Sequence, residues 1–397
     1  MAPGGETTLT ENPRRRVDES SLLEAADRWL PAPAVNDAGR EIAGWAGYAR
    51  QAPAVLAGLA RRAGVEAIVY QDESGRFGLE SFKGWGGGYA AARVLARRAA
   101  ARAGAERLDT AELAGGRHRH LTADVTLACA TDGNHGTAVA WAARSFGGRA
   151  IVYVADIVSH LREARIRDLG ATVVRSAGNH EVASAECVSA ARANGWFVIT
   201  ETENATEPEI AADTLAGYGA LWEEAFDGLD RPPTHLFVQA GVGGLSAAAA
   251  GIGRRRYGAL RPTLTVVEAE PADCIRRSLA AGRRVSVEGH FDTRLAGLAA
   301  GATSTFAWDL LSAGADFAMT IRDDSAEETM RVLAQPDVGD PEIVGGGSGV
   351  AGLAGALLVC GNPEFRGRLG IGADSRILVI GTEGATDPER YRAIVGS

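Results

Sequence analysis

RAIVYVADIVSHLREARIRDLGATVVRSAGNHEVASAECVSAARANGWFVITET, residues 149–202, is the stretch that decides the fold. Its runs RAIVYVAD, ATVVRSAG and WFVITET are short, apolar and rich in β-branched residues, and they are separated by HLREARIRDLG and EVASAECVSAARANG, which read as helices. Strand and helix alternating in this way describe a parallel sheet, because parallel neighbours need a crossover connection. A second series follows in THLFVQA (234–240), TLTVVEAEP (263–271) and RILVIGTEG (376–384). The reading is an α/β protein with two doubly wound parallel-sheet lobes, a design that binds ligands at the strand ends.

Composition agrees with one large or two medium domains: 397 residues, 46% hydrophobic, 23% charged, with 51 glycines. No apolar run approaches the roughly 20 residues of a membrane helix, and MAPGGETTLTENPRRRV at the N-terminus lacks the apolar segment of a secretory signal, so a cytoplasmic protein is expected. The first 18 or so residues are polar and expected to be loosely ordered. Cys129, Cys187, Cys274 and Cys360 are far apart, with neither disulfide-framework nor zinc-ribbon spacing, and are read as buried reduced thiols; no metal site is expected. A net charge of −9 argues against nucleic acid as a partner, and Arg14–Arg16 and Arg254–Arg256 read as solvated faces. An anionic ligand must be caught locally.

Of the 41 basic residues only Lys83 is a lysine; forty are arginine. A guanidinium cannot lose its proton in a protein, so it cannot serve as an amine nucleophile or form a Schiff base. Lys83 lies in FGLESFKGWGGGYAAARVLARRAA (77–100), where Phe82 and Trp85 would shield the amine and favour its neutral form. Gly84, Gly86, Gly87 and Gly88 would let the backbone approach a flat ligand. A Walker loop is excluded, since Gly84 stands where Ser or Thr belongs.

Two further turns stand between a strand and a helix. In VQAGVGGLSAAAAG (238–251) the amides of Gly241, Val242, Gly243, Gly244 and Leu245 can point at one anion, although close packing would also explain the glycines. Ser246 breaks the dinucleotide fingerprint. In LACATDGNHGTAVAWAA (127–143), Asp132 and Asn134 can face a ligand or simply cap the helix.

FGLESFKGWGGGYA, ATDGNHGTAVAW, QAGVGG and VIGTEGATDPERYR, in this order from about residue 65 to the C-terminus, resemble the motifs of the diaminopropionate ammonia-lyase family, pyridoxal-phosphate (PLP) enzymes of the tryptophan-synthase-β type. The resemblance implies PLP fold type II, with the cofactor in the cleft between two domains, here expected at 1–92 with 233–397 and at 93–232. It implies a homodimer acting on a small amino acid, with no membrane partner. Lys83 would form the internal aldimine beside Phe82, Asn134 would bond the ring oxygen, and Gly241 to Leu245 would hold the phosphate. Thr382 would face the pyridine nitrogen; a hydroxyl there leaves that nitrogen largely unprotonated, which suits β-elimination over transamination. Asp132 would take the α-proton from a D-substrate and Lys83 from an L-substrate. Elimination from 2,3-diaminopropionate then gives aminoacrylate, and from it pyruvate and ammonia.

This chain departs from the family in four places. Glu201 replaces an aspartate, TENATEPEIAA (202–212) replaces an aromatic and acidic segment, Gly347 replaces an acid, and Ala302 and Thr303 replace a Glu-Pro pair. Another β-substituted amino acid as substrate, a serine or threonine dehydratase, and a PLP-binding protein without turnover are the other readings. Glu201, closing a strand, is expected to read the substrate's β-group and not to hold the cofactor.

Overall fold

The computed structural model describes residues 7–396 except 18, 115, 117, 132, 204 and 205. They form two compact units: a larger one of residues 1–31, 50–75 and 222–397, and a smaller one of 32–49 and 76–221. The segment 76–92 packs with the smaller unit, since the helix Gly87–Ala103 that follows Lys83 lies against the helix Asn134–Phe146.

Eleven strands are described: β1 (Leu9–Glu11), β2 (Ala54–Val55), β3 (Ala67–Asp72), β4 (Thr126–Thr131), β5 (Arg149–Val154), β6 (Thr172–Arg175), β7 (Phe197–Val198), β8 (His235–Gln239), β9 (Thr263–Ala269), β10 (Phe317–Ile321) and β11 (Arg376–Gly381). The smaller unit holds a four-stranded sheet, ordered β6-β5-β4-β7 and parallel throughout. Helices cover both of its faces. Val152 lies beneath Gly136 of the helix Asn134–Phe146, while the next residue, Tyr153, packs on Ala183, Cys187 and Ala191 of the helix His180–Asn194. Successive strand residues point to opposite faces, so the sheet is buried on both sides and its strands read as continuous apolar runs.

The larger unit holds seven strands, ordered β1-β10-β9-β8-β11-β3-β2, with only the edge strands β1 and β2 antiparallel. Within the stretch expected to be loosely ordered, residues 7–17 are described and tied down; residues 1–6 and 18 lie outside the described residues. Leu9 is buried, β1 pairs with β10, and the Asn12 amide donates to the carbonyls of Ser312 at 3.0 Å and Ala315 at 2.7 Å. The alanines of the helix Gly244–Tyr257 keep it thin: Gly251 lies against Leu30 and Leu310, and Gly314 of the helix Thr305–Gly314 against Ala250. The expected α/β class with parallel sheets is what the chain adopts.

The start of the helix Asn134–Phe146 tolerates no side chain at its third residue. A Cβ on Gly136 would sit 2.4 Å from Thr131 Cγ2 and 2.8 Å from Val152 Cγ1. Gly136→Ala is expected to lower stability by about 1–3 kcal/mol, the usual cost of overpacking, despite alanine's better helix propensity; a urea unfolding midpoint at or above that of the parent would contradict it.

Candidate active site

In the smaller unit, Lys83 sits in a single turn of 3₁₀ helix, Phe82–Gly84, after Ser81 in extended conformation. Its Nζ lies 2.6 Å from both carboxylate oxygens of Glu201, which stands just beyond β7. Tyr218, on the helix Pro208–Asp227, donates its hydroxyl to Glu201 Oε1 and lies 3.5 Å from Nζ. The Phe82 ring stacks on Tyr218 at 5.1 Å and 26°, and Nζ lies 4.8 Å from the Phe82 centroid. Phe82 thus shields the amine as expected. Trp85 does not take part: it is buried against Arg76 and Tyr48.

The glycines after Lys83 are spaced for rings of the protein itself. A Cβ on Gly84 would meet Phe77 at 2.8 Å, on Gly86 Tyr218 at 2.4 Å, on Gly87 His135 at 2.7 Å and on Gly88 Trp141 at 3.4 Å. The flat groups approached by this backbone are aromatic side chains. Gly217 completes the fit, since its Cβ would fall 1.7 Å from the Trp85 carbonyl oxygen.

Burial works to raise the Glu201 carboxyl, but the Lys83 ammonium overrides it, with smaller help from the Tyr218 hydroxyl, and the group is held down at about 2. Burial and the neighbouring carboxylate push the Tyr218 phenol well up, so it remains a donor. His135 Nε2 lies 2.9 Å from the carbonyl of Ile199, which can only accept, so Nε2 carries the proton and Nδ1 is a bare, buried lone pair with no partner among the described residues. Burial lowers its pKa, and the ring is neutral.

The turn after β4 is held by Thr131, whose hydroxyl accepts from the amides of Gly133 at 3.0 Å and Gly136 at 3.2 Å. Gly133, with φ +153°, is the N-cap residue and Asn134 opens the helix, so Asn134 is not its cap. Asp132 lies outside the described residues.

In the larger unit, β8 ends at Gln239 and the chain turns through Gly241, Val242 and Gly243 into the helix Gly244–Tyr257. Gly243 has φ +95°, and a Cβ on Gly241 would sit 3.0 Å from the Gly297 carbonyl oxygen. Among the described residues none accepts a hydrogen bond from the amides of Gly241 to Leu245. Free donors converging at a helix N-terminus fit a phosphate. Thr303 steadies this loop by donating its hydroxyl to the Val242 carbonyl at 3.1 Å, joined by the Ser304 amide at 3.1 Å. Thr382, just past β11, takes a bond from Gln239 Nε2 at 2.8 Å. An amide nitrogen cannot accept, so the Thr382 hydroxyl keeps its own proton for another partner, a donor suited to a pyridine nitrogen.

A lone lysine beside a carboxylate and a cup of free amides belong to the chemistry of a phosphorylated aldehyde cofactor. Residues 47–383 match the family described as pyridoxal-phosphate dependent enzyme. The chain is 34% identical over 357 residues to diaminopropionate ammonia-lyase of Escherichia coli K12, covering 88% of each, and 33% identical to that of Salmonella typhimurium LT2, covering 86% of each. The crystal structure of the Escherichia coli enzyme in complex with D-serine superposes with a TM-score of 0.87 at 30% identity, over 98% of this chain and 97% of that one. The chain belongs to the diaminopropionate ammonia-lyase family of pyridoxal-phosphate dependent enzymes, and its cofactor is pyridoxal phosphate.

Tyr218, Gln239, Thr303 and His135 are the members of these clusters that had no assigned role from the sequence. For Tyr218 a signal existed in the paired glycines of AGYGA (216–220), which interrupt a 20-residue helix at a cost of about 1 kcal/mol each relative to alanine. Thr303→Val is expected to remove the brace on the loop and weaken pyridoxal-phosphate binding severalfold, on the order of one lost hydrogen bond of about 1 kcal/mol; unchanged affinity in a fluorescence titration would show the loop needs no brace.

Proposed function

We propose that this enzyme eliminates the β-amino group of 2,3-diaminopropionate, releasing pyruvate and ammonia. The observation that carries the reading is the placement of the chain's sole lysine, Lys83, against Glu201 and under Phe82. Family membership and the names of the relatives support the substrate.

Lys83 would hold the aldehyde carbon of the cofactor, Asn134 its ring oxygen, the Gly241–Leu245 amides its phosphate and Thr382 its ring nitrogen. Bound pyridoxal phosphate supplies an electron sink that acidifies the α-hydrogen of an attached amino acid. Lys83, once released, is an amine able to take that proton from the L-isomer, and Asp132 is the matching base for the D-isomer. Glu201 offers a partly buried anionic seat in which both oxygens already face an ammonium at 2.6 Å. A β-ammonium is the same chemical group, and Glu201 would hold it as a leaving group while Phe82 and Tyr218 keep water away.

Four free cysteines, three of them buried, support a reducing cytoplasmic setting, and among the described residues no helix is long and apolar enough to cross a membrane. A homodimer is proposed from the family likeness and is read by light scattering of the holoenzyme.

The purified enzyme is expected to be yellow and Lys83→Arg colourless. Borohydride should fix the cofactor to one peptide containing Lys83, and recovery of that peptide unmodified from reduced, loaded enzyme refutes the assignment. Ammonia and pyruvate release should be greatest with diaminopropionate in a panel that includes serine and threonine; a preference for either of those makes the protein a dehydratase. Asp132→Asn should slow one enantiomer by about 10²–10⁴ more than the other, and equal losses would assign Asp132 a structural or shared binding role.

A further inference from the structure

Glu201 owes its charge to two supports of unequal duration. Among the described residues its hydrogen-bond donors are Lys83 and Tyr218. The first is withdrawn in use: an amine that bonds a carbonyl carbon is no longer the ammonium seen here. The second stays. We propose that Tyr218 is a positioning residue that keeps Glu201 anionic while Lys83 is engaged, so that the carboxylate remains a seat for an ammonium on the substrate's β-carbon. This rests on the reading of Lys83 as the cofactor lysine.

Other groups near Glu201 cannot take over that task. His135, from the helix Asn134–Phe146, spends its one proton on Ile199 and is kept neutral by burial. Cys129, from β4, is a buried thiol whose pKa is pushed up, so it carries no charge. Without Tyr218, a carboxylate taken out of water and deprived of its cation would be driven to pick up a proton. A protonated acid no longer draws an ammonium, and nothing in the cluster would distinguish a β-amino substrate from a β-hydroxy one.

The hydroxyl, and not only the ring, is used. Stacking on Phe82 needs no oxygen, and phenylalanine would serve, yet the Tyr218 hydroxyl donates to Glu201 Oε1. Gly86 leaves room for the whole phenol, since a Cβ there would fall 2.4 Å from the ring carbon that carries the hydroxyl and 2.7 Å from the oxygen. Because burial keeps the phenol protonated, the bond has a fixed direction, from Tyr218 to Glu201.

The test compares the parent holoenzyme with Tyr218→Phe, Glu201→Gln and the double variant, each with its cofactor absorbance recorded. Loss of a donor to the ionised form raises a carboxyl pKa. The acid limb of kcat/KM for diaminopropionate should therefore move up by about one to two pH units in Tyr218→Phe, the equivalent of one hydrogen bond to a charged group. At pH near that limb KM for diaminopropionate should rise about tenfold or more, with kcat changed less, whereas serine, whose β-group is neutral, should change little. Adding Tyr218→Phe to Glu201→Gln should have no further effect on this discrimination. An unmoved acid limb, equal losses for charged and neutral β-groups, or a full additive loss in the double variant would each overturn the role of Tyr218. Failure of the parent to bind the cofactor through Lys83 would instead overturn the functional reading beneath it.

Discussion

A carboxylate removed from water must be answered by charge or give up its own, and the ion pair of Glu201 with Lys83 meets that demand with both oxygens. Much of the smaller unit is arranged around that meeting. Glu201 arrives from the end of β7, Lys83 from a tight turn before a helix, and Tyr218 from the middle of a 20-residue helix. Three segments can converge on one amine only if the backbones come close. The glycines at 84, 86, 87, 88 and 217 permit that approach, and the rings of Phe77, Phe82, His135, Trp141 and Tyr218 fill the space. Polar chemistry and aromatic packing are here one solution.

The larger unit solves a different problem by the same topology. Parallel strands deliver their carboxyl ends to one edge of a sheet, and from the ends of β8 and β11 come the amide cup and Thr382. Backbone amides bind an anion without net charge, which agrees with an acidic chain that must still hold a phosphate. Gln239 joins the two strand ends, since its side-chain nitrogen lies 2.9 Å from the carbonyls of Gly349 and Ile380 as well as 2.8 Å from Thr382. Thr303 braces the loop by donating its hydroxyl to the Val242 carbonyl.

Strands β4, β5, β8, β9 and β11 were legible because burial on both faces writes them as unbroken apolar runs, and the edge strands β6 and β7 by their β-branched and aromatic residues between helical stretches. β10 passed unnoticed although its five residues, FAMTI, are as apolar and Gly314 and Asp316 set it off from the helix before it. β1 is three residues long in a polar segment, and its order comes from Asn12 and a distant edge that no local pattern reports. Lys83 stood out by composition, and the turn Gly241–Leu245 by the strand–turn–helix pattern. Tyr218 did not, because an aromatic residue inside a helix reads as core until its flanking glycines are understood. The glycines after Lys83 were legible as a place of close approach, but what approaches is the protein's own aromatic rings.

Guanidinium and ammonium groups serve equally well to keep a surface wet, yet they meet small aldehydes and other carbonyl electrophiles very differently. A lysine-studded enzyme presents many places where such compounds can add at random. This one presents a single side chain, itself recessed behind Phe82 and paired with Glu201. Adducts on side-chain amines should therefore form at one place in each molecule. A population exposed to such compounds would divide at that place into intact and silenced copies, and a bound occupant on that one nitrogen shields the only lysine there is to lose.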